Sequence, residues 1–238
     1  TRHSAAPEPR PAPTQPPDGV PAGTSPLPMP EYGTAYNNPQ PRENIQDGGT
    51  LTLPINYLGP NYNRLHVDGN TVDVSLIMNW IAPRIWDYSP SGGAAPNENY
   101  VLSVDVVGED PQVVKFVLNP AAKWNDGTPI DWTAFDAVWK TQRGDQRYSP
   151  GSAVGYESIA SVARGENDHE VIVTFETPFY PIETLFMDLQ HPKNLDPEFY
   201  NSGWINQIHN DLLAGPFVVA SLSEERVVLE RNPRWWGE

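Results

Sequence analysis

Hydrophobic and polar positions follow their clearest pattern between residues 113 and 139. Valine and phenylalanine alternate with other residues up to Leu118, which is the period of a strand. Residues 125–127 (Asn-Asp-Gly) provide a tight turn, and large apolar side chains then recur at helical spacing: Trp132, Phe135, Val138 and Trp139. The pattern predicts a strand, a turn and a helix, and none of the three carries obvious chemistry.

Other parts of the chain show the same two periods. They predict strands at residues 51–57, 101–107, 158–164, 170–176, 217–222 and 226–231, and helices at residues 71–81, 131–143 and 181–187. Residues 108–111 are predicted to turn between two strands. Strands and helices mix without regular alternation, so the predicted fold class is α+β or an interrupted α/β arrangement.

The first predicted helix has a capping signal and an apolar side. Asn70 or Thr71 is the expected N-cap, and Pro83 is expected to end the helix. One face is expected to carry Val72, Leu76, Ile77 or Met78, and Trp80. The spacing therefore predicts a short helix here.

The first 42 residues differ in composition from the rest. They hold 12 of the 27 prolines and three charges of each sign. Such a segment buries too little apolar surface to offset its ordering entropy, so residues 1–42 are predicted to be a disordered tether. The net charge of −15 therefore lies in residues 43–238.

Composition narrows the function classes. The strong negative charge disfavours nucleic acid as a partner, and the lack of cysteine removes disulfides and thiolate chemistry. No run of about 18 apolar residues is present to span a bilayer. The chain starts at Thr1 without a signal peptide, so an export leader, if one exists, is expected to have been removed or left out.

Candidate catalytic and metal-binding residues are sparse. Asp126 beside Trp124 is interpreted as a turn residue, since Asp-Gly is a standard turn pair. Two His/Asp pairs, at residues 66/68 and 209/211, lack a third ligand nearby in sequence. Neither a Gly-x-Ser-x-Gly elbow nor a phosphate-binding Gly-rich loop occurs. We therefore predict no catalytic residue, no metal site and no cofactor.

Three segments together resemble bacterial extracellular solute-binding proteins of family 5, the peptide- and nickel-binding subunits of ABC importers. They are the strand and Trp-Asn-Asp-Gly-Thr-Pro turn of residues 113–130, the VIVTFETP stretch of residues 171–178, and residues 215–237, which contain GPF and VVLERNPRWWG. The order and separation of the segments agree with that family. The resemblance is strongest to oligopeptide-binding lipoproteins of actinobacteria.

The resemblance implies a type II (class C) periplasmic-binding-protein clamshell, of which this chain would hold the first lobe and an extra subdomain. The first lobe would comprise residues 43–82 and the returning segment 189–238, and the extra subdomain residues 83–188. The second lobe would lie outside this chain. The two lobes of the complete clamshell would close over a ligand by hinge motion.

The loop between the first strand and the first helix is the predicted ligand-contact region. A Gly-containing loop on a rigid scaffold lets ligand approach the backbone, and the resemblance implies main-chain hydrogen bonds to an extended peptide. An ordinary connection with Asp-Gly as a turn is the alternative. The predicted contact residues are Leu65, His66, Val67, Asp68, Gly69, Asn70, Tyr148 and Gly215.

The implied function is non-catalytic capture of oligopeptides for delivery to ABC permease subunits. The resemblance implies a monomer outside the cytoplasm, at the cell surface or in the periplasm, held by a lipidated cysteine upstream of this chain. Two alternatives stay open. One is a cell-envelope interaction or regulatory protein on the same scaffold, and the other, with less support, is a hydrolase of envelope polymers.

Overall fold

The computed structural model describes residues 48–89 and 92–237. Its helices are α1 (Val72–Ile81), α2 (Trp132–Gln142) and α3 (Pro197–Ser202). Its strands are β1 (Trp86–Tyr88), β2 (Ala94–Pro96), β3 (Val101–Glu109), β4 (Gln112–Leu118), β5 (Ile159–Arg164), β6 (Glu170–Phe175), β7 (Phe217–Leu222) and β8 (Val227–Arg231). This confirms the predicted α+β class. The predicted tether, residues 1–42, lies outside the described residues.

A four-stranded antiparallel sheet in the order β3-β4-β6-β5 forms the largest layer. Along β4, side chains alternate between buried and half-buried, and Val114, Phe116 and Leu118 are fully buried. Helix α2 packs over this face, where the Phe116 and Phe135 rings lie 5.0 Å apart. The strand–turn–helix unit predicted from the apolar pattern is therefore the centre of the sheet cluster, which we define as the buried side chains around Phe116, Phe135 and Phe186.

A second apolar core, the α1 cluster, is formed by α1, the β7–β8 hairpin and the segment before that hairpin. Its buried members include Val74 and Ile81 of α1 together with Trp204 and Leu213. Half-buried side chains of both hairpin strands cover it. The two clusters thus gather side chains from different stretches of sequence.

The chain passes between the clusters through two segments that pair with each other. We call residues 83–85 and 187–189 the crossing segments. Ile85 N donates to the Met187 carbonyl (3.2 Å), Leu189 N donates to the Pro83 carbonyl (3.0 Å), and Arg84 forms an antiparallel bridge with Asp188. The backbone at this junction is therefore hydrogen-bonded across about 100 residues of intervening sequence.

The predicted boundaries hold for most elements. Helix α2 begins one residue after its N-cap Asp131, and α1 begins after Thr71, whose side chain accepts from Val74 N. The predicted hairpins 101–118 and 217–231 are present, although β3 runs on through Glu109 and shortens the first turn. Capping and turn residues act locally, which is why sequence alone located them.

Two predicted elements are wrong. Residues 51–57 form no strand and pair with no strand among the described residues, and Leu51 is 74% exposed. A strand needs a neighbour for its hydrogen bonds, and Pro54 also lacks an N–H. Residues 181–187 form only a 3-10 turn at Ile182–Thr184, because Leu185 turns extended and Phe186 adopts a φ of 54°, so that both side chains enter the sheet cluster.

The apolar face of α1 was also assigned partly wrongly. Val72 and Trp80 are exposed, whereas the helix buries Val74, Ile77, Met78 and Ile81. The sequence pattern missed α3 and the short β1–β2 hairpin as well. These elements are short, so their apolar period is weak.

Removal of the α2 cap gives a direct test of this packing unit. The Asp131 carboxylate accepts from Thr133 N (2.9 Å), so Asp131→Ala is expected to lower the free energy of unfolding by about 1 kcal/mol. Urea denaturation followed by tryptophan fluorescence measures the change. Glu225→Ala, in the exposed β7–β8 turn, is the control and is expected to change stability by less than about 0.5 kcal/mol. Equal losses in both variants would contradict the capping role.

Candidate ligand-contact site

The predicted ligand-contact loop lies where expected, between residues 51–57 and α1. Its entry is built on two buried asparagines, Asn61 and Asn63. The side-chain oxygen of Asn61 accepts from Asn63 N (2.8 Å), and that of Asn63 accepts from Leu65 N (3.1 Å). Each Asn is therefore used as a turn residue that bonds the backbone two positions on.

Tyr200 of α3 supports the loop through hydrogen bonds to Leu65 and Asn63. Its hydroxyl donates to the Leu65 carbonyl (2.7 Å) and accepts from Gln142 Nε2 (2.8 Å), while its own carbonyl accepts from Asn63 Nδ2 (3.0 Å). Tyr200 is fully buried, and this burial raises the pKa of its hydroxyl. A neutral phenol at this position can both donate and accept, which joins the loop to α2 and α3.

Tyr148 and the residues that follow it form the second side of the loop. Val67 N donates to the Ser149 carbonyl (2.9 Å) and Gly151 N donates to the Leu65 carbonyl (2.8 Å). The Tyr148 ring packs edge-on against Tyr200 at 5.2 Å, and its hydroxyl donates to the Leu195 carbonyl (2.7 Å). The structure thus brings Tyr148 and the predicted loop together, although Tyr148 itself is buried.

Every backbone N–H from Leu65 to Thr71 donates to a group inside the chain. Besides the bonds already named, His66 N donates to the Asn63 carbonyl, Asp68 N to His66 Nδ1, Gly69 N and Asn70 N to the His66 carbonyl, and Thr71 N to the Gly69 carbonyl. Main-chain donation from this loop to a peptide would therefore require these bonds to break. The loop instead presents exposed side chains, those of Val67, Asp68 and Asn70.

His66 and Asp68 interact in a way that stabilises the loop. Burial lowers the pKa of His66, with Asp68 opposing the shift, and the ring nitrogen Nδ1 accepts from the Asp68 backbone. The Asp68 carboxylate lies 3.8 Å from that nitrogen, and its side chain is 67% exposed. His66 is thus a structural acceptor, and Asp68 is the outward-facing charge of the loop.

Gly69 and Gly215 have clear packing reasons to be glycine. A β-carbon on Gly69 would lie 2.0 Å from the Asn63 carbonyl oxygen, and one on Gly215 would lie 2.5 Å from the Ile81 backbone. Gly215 is buried, its N–H donates to the Ile81 carbonyl (2.8 Å), and its carbonyl accepts from Asn232. Ligand contact by Gly215 stays a prediction to which this geometry adds no support.

The residues weighed for catalysis and metal binding have structural partners. Asp126 accepts from Thr128 N (2.8 Å) and Thr128 Oγ1 (2.7 Å), as a turn residue does, and lies 3.4 Å from His191 Nε2. Burial alone would raise the pKa of Asp126, but these hydrogen bonds and His191 lower it overall. Within residues 48–89 and 92–237, no group of three or more metal-ligating side chains is close enough to hold an ion.

Sequence inspection missed the residues that support the loop. The Asn-Tyr-Asn run at residues 61–63 was a signal that could have been used, since asparagines commonly build such turns. Tyr200 and Asn201 lie more than 130 residues away, and Asn61 Nδ2 donates to the Asn201 carbonyl (3.1 Å). No local pattern connects residues so distant in sequence.

The tight packing of Gly69 predicts a large effect from one added methyl group. Gly69→Ala is expected to lower the free energy of unfolding by about 1–3 kcal/mol, because the new atom overlaps backbone that cannot rotate away. Gly59→Ala is the matched control, since its β-carbon would meet its nearest neighbour at 3.6 Å. Urea unfolding of both variants makes the comparison, and a harmless Gly69→Ala would show that the loop is not held as described.

The hydroxyl of Tyr200 can be tested by itself. Tyr200→Phe removes the donor to Leu65 and leaves the buried Gln142 amide with only its long bond to Thr141 Oγ1 (3.4 Å), so a loss of about 1–3 kcal/mol is expected. Tyr180→Phe serves as the control, because Tyr180 is 82% exposed. Thermal and chemical unfolding measure both, and equal stability of the two variants would count against the supporting role.

Comparison with known proteins places this geometry in context. The chain is 37% identical over 211 residues to the oligopeptide-binding protein OppA of Mycobacterium tuberculosis, covering 86% of this chain and 35% of that protein. It is 26% identical over 228 residues to the probable monoacyl phosphatidylinositol tetramannoside-binding protein LpqW of the same species. This match covers 90% of this chain and 34% of that protein. The chain thus spans about a third of the length of these relatives.

A solved structure and a family model also match this chain. The periplasmic EDTA-binding protein EppA superimposes with a TM-score of 0.70 at 30% identity, over 75% of this chain and 35% of that one. This likeness confirms the predicted type II periplasmic-binding-protein fold class. Residues 80–238 match the bacterial extracellular solute-binding proteins, family 5 Middle. The chain therefore belongs to family 5 of the bacterial extracellular solute-binding proteins.

Proposed function

We propose that this chain belongs to an extracytoplasmic substrate-binding protein that captures oligopeptides and delivers them to the permease of an ABC importer. The observation that carries the proposal is the 37% identity to an oligopeptide-binding protein across 86% of the chain. Binding without catalysis agrees with the family, and it also suits the predicted site, where His66 is a structural acceptor of the loop.

The loop geometry suggests how one part of such a site acts. A loop whose donors are all bonded internally is already ordered, so little conformational entropy is lost when ligand contacts it. Val67 supplies apolar surface, while Asp68 and Asn70 supply polar groups. Contacts of this mixed kind tolerate different side chains, which suits a protein that binds varied peptides.

The two apolar clusters support the proposed domain boundaries. The sheet cluster draws mainly on residues 85–189, and the α1 cluster on residues 62–82 and 199–229. We propose that the first covers the extra subdomain, 83–188, and the second the first lobe, 43–82 with 189–238. Location outside the cytoplasm and a lipid anchor on a cysteine preceding this chain are part of the same proposal, with the family and a proline-rich start as support.

None of the helices in the described parts of the chain combines the length and the hydropathy needed to cross a bilayer.

A second candidate is a cell-envelope protein with a different ligand and no transport role. The similarity to LpqW, whose name states binding of a monoacyl phosphatidylinositol tetramannoside, favours a glycolipid in that case. Protein expressed from the complete natural reading frame separates the two functions. Co-purified peptides identified by mass spectrometry support peptide capture, and co-purified glycolipid supports the second candidate.

The exposed valine of the loop gives a quantitative test. Val67→Ser is expected to weaken binding of a peptide library about fivefold in calorimetry, because burying half of a valine side chain contributes about 1 kcal/mol. Val154→Ser is the matched control, since Val154 is also more than half exposed (67%, against 54% for Val67) but lies outside the loop. Unchanged affinity for both variants would remove this loop from the proposed site.

A further inference from the structure

A buried ionic cluster joins the predicted loop to the crossing segments. Asp188 lies in the second crossing segment, and its side chain is only 7% exposed. Its Oδ2 lies 2.8 Å from Arg64 Nη1, and its Oδ1 lies 3.6 Å from Arg84 Nε. Arg64 directly precedes Leu65, so this carboxylate connects the start of the loop with a segment 124 positions later in sequence.

We propose that Asp188 is a positioning residue for the predicted ligand-contact loop, which it holds in place through Arg64; its effect on binding rests on the proposed function. The two crossing segments are hydrogen-bonded to each other, so Asp188 has a fixed backbone position. Arg64 Nη1 also donates to Asn79 of α1 (3.3 Å). The Arg64 guanidinium therefore reaches the crossing segment and α1 from one end of the loop.

Because Asp188 is buried, its ion pair with Arg64 matters strongly for stability. Burial raises the pKa of Asp188, whereas Arg64 and Arg84 oppose that shift by favouring the carboxylate. A buried carboxylate that loses its paired cation is strongly destabilised, because its charge is then left uncompensated away from water. Asp188 Oδ1 and Arg84 Nε have no hydrogen bond, so the contact with Arg64 is the only short ion pair of this carboxylate among the described residues.

The surroundings of the cluster are not closely packed on every side. A cavity of about 40 Å³ is lined by Arg64, Leu65, Asp188 and Gln190, among others. The side-chain oxygen of Gln190 is buried there without a hydrogen-bond partner. Packing alone therefore leaves the place of the Arg64 guanidinium open, and its ion pair with Asp188 and its hydrogen bond to Asn79 specify where it lies.

Hydrogen exchange tests the positioning role without any ligand. In protein from the complete reading frame, Asp188→Asn is expected to raise amide exchange in residues 65–71 by about tenfold or more, with exchange in β4 and β6 unchanged. Asp136→Asn is the matched control, since Asp136 is almost as buried and pairs with Lys140 at 2.7 Å in the middle of α2. Exchange that rises equally in the loop and in the sheet would overturn the proposal, as would an unchanged loop.

A second pair of variants covers the case in which Asp188→Asn does not fold. Arg64→Lys keeps one charged donor for Asp188, so it is expected to preserve part of the loop protection that Arg64→Gln loses. The double variant Arg64→Gln with Asp188→Asn is expected to exchange no faster than the worse single variant, because both remove one interaction. Fully additive effects would show that the two residues act independently and would overturn the proposal.

Peptide affinity completes the test. If wild-type protein binds peptide, Asp188→Asn is expected to weaken binding about tenfold while Asp136→Asn leaves it unchanged. Unchanged affinity in Asp188→Asn, with a loosened loop, would overturn the link to binding. If wild-type protein binds no peptide, the proposed function fails, and the exchange data still decide whether Asp188 positions the loop.

Discussion

The pairing of the two crossing segments is the constraint on which the arrangement of this chain depends. Residues 83–85 and 187–189 carry the chain between the sheet cluster and the α1 cluster, and they are held together by backbone hydrogen bonds. The sheet cluster draws most of its buried side chains, including those of β4 and α2, from the stretch between these segments. Asp188 belongs to the second crossing segment and forms an ion pair with Arg64. The crossing segments are therefore also connected to the start of the predicted ligand-contact loop.

That loop shows how polar groups can build a rigid surface. The Asn63 side chain, the His66 ring and backbone carbonyls accept all the N–H groups from Leu65 to Thr71, so these polar contacts fix the path of the loop. Buried polar groups tolerate few alternative arrangements, since each lost partner costs free energy. The backbone of a contact surface for varied ligands can therefore be rigid while its exposed side chains still change rotamer.

The relatives span a wider range of ligands than this loop by itself explains. An oligopeptide, a glycolipid and a metal chelator appear in the names of proteins that match the chain, each of which is about three times as long as the matched part. Fold and function are separate questions here, because one scaffold carries many sites. In the proposed site the loop and its supports form one wall, and ligand identity depends on what faces that wall.

The sequence by itself determined the elements that rest on local chemistry. Helix α2 with its Asp131 cap, the β4 alternation and the β7–β8 hairpin all follow from residues within a few positions of one another. The family resemblance rested on β4 with the turn after it, the β6 stretch and the β7–β8 hairpin, and the family is confirmed. The location of the loop between residues 51–57 and α1 was predictable for the same reason.

Only the tertiary structure decided which face of α1 is buried, why residues 181–187 leave the helical path, and which groups support the loop. Phe186 adopts a positive φ because its ring is needed in the sheet cluster. Tyr200 and Asp188 act on Leu65 and Arg64 across more than 120 positions. Such contacts form only when the chain folds back on itself. They are selected by the burial of apolar surface and the pairing of buried polar groups, and these leave no periodic pattern in the sequence.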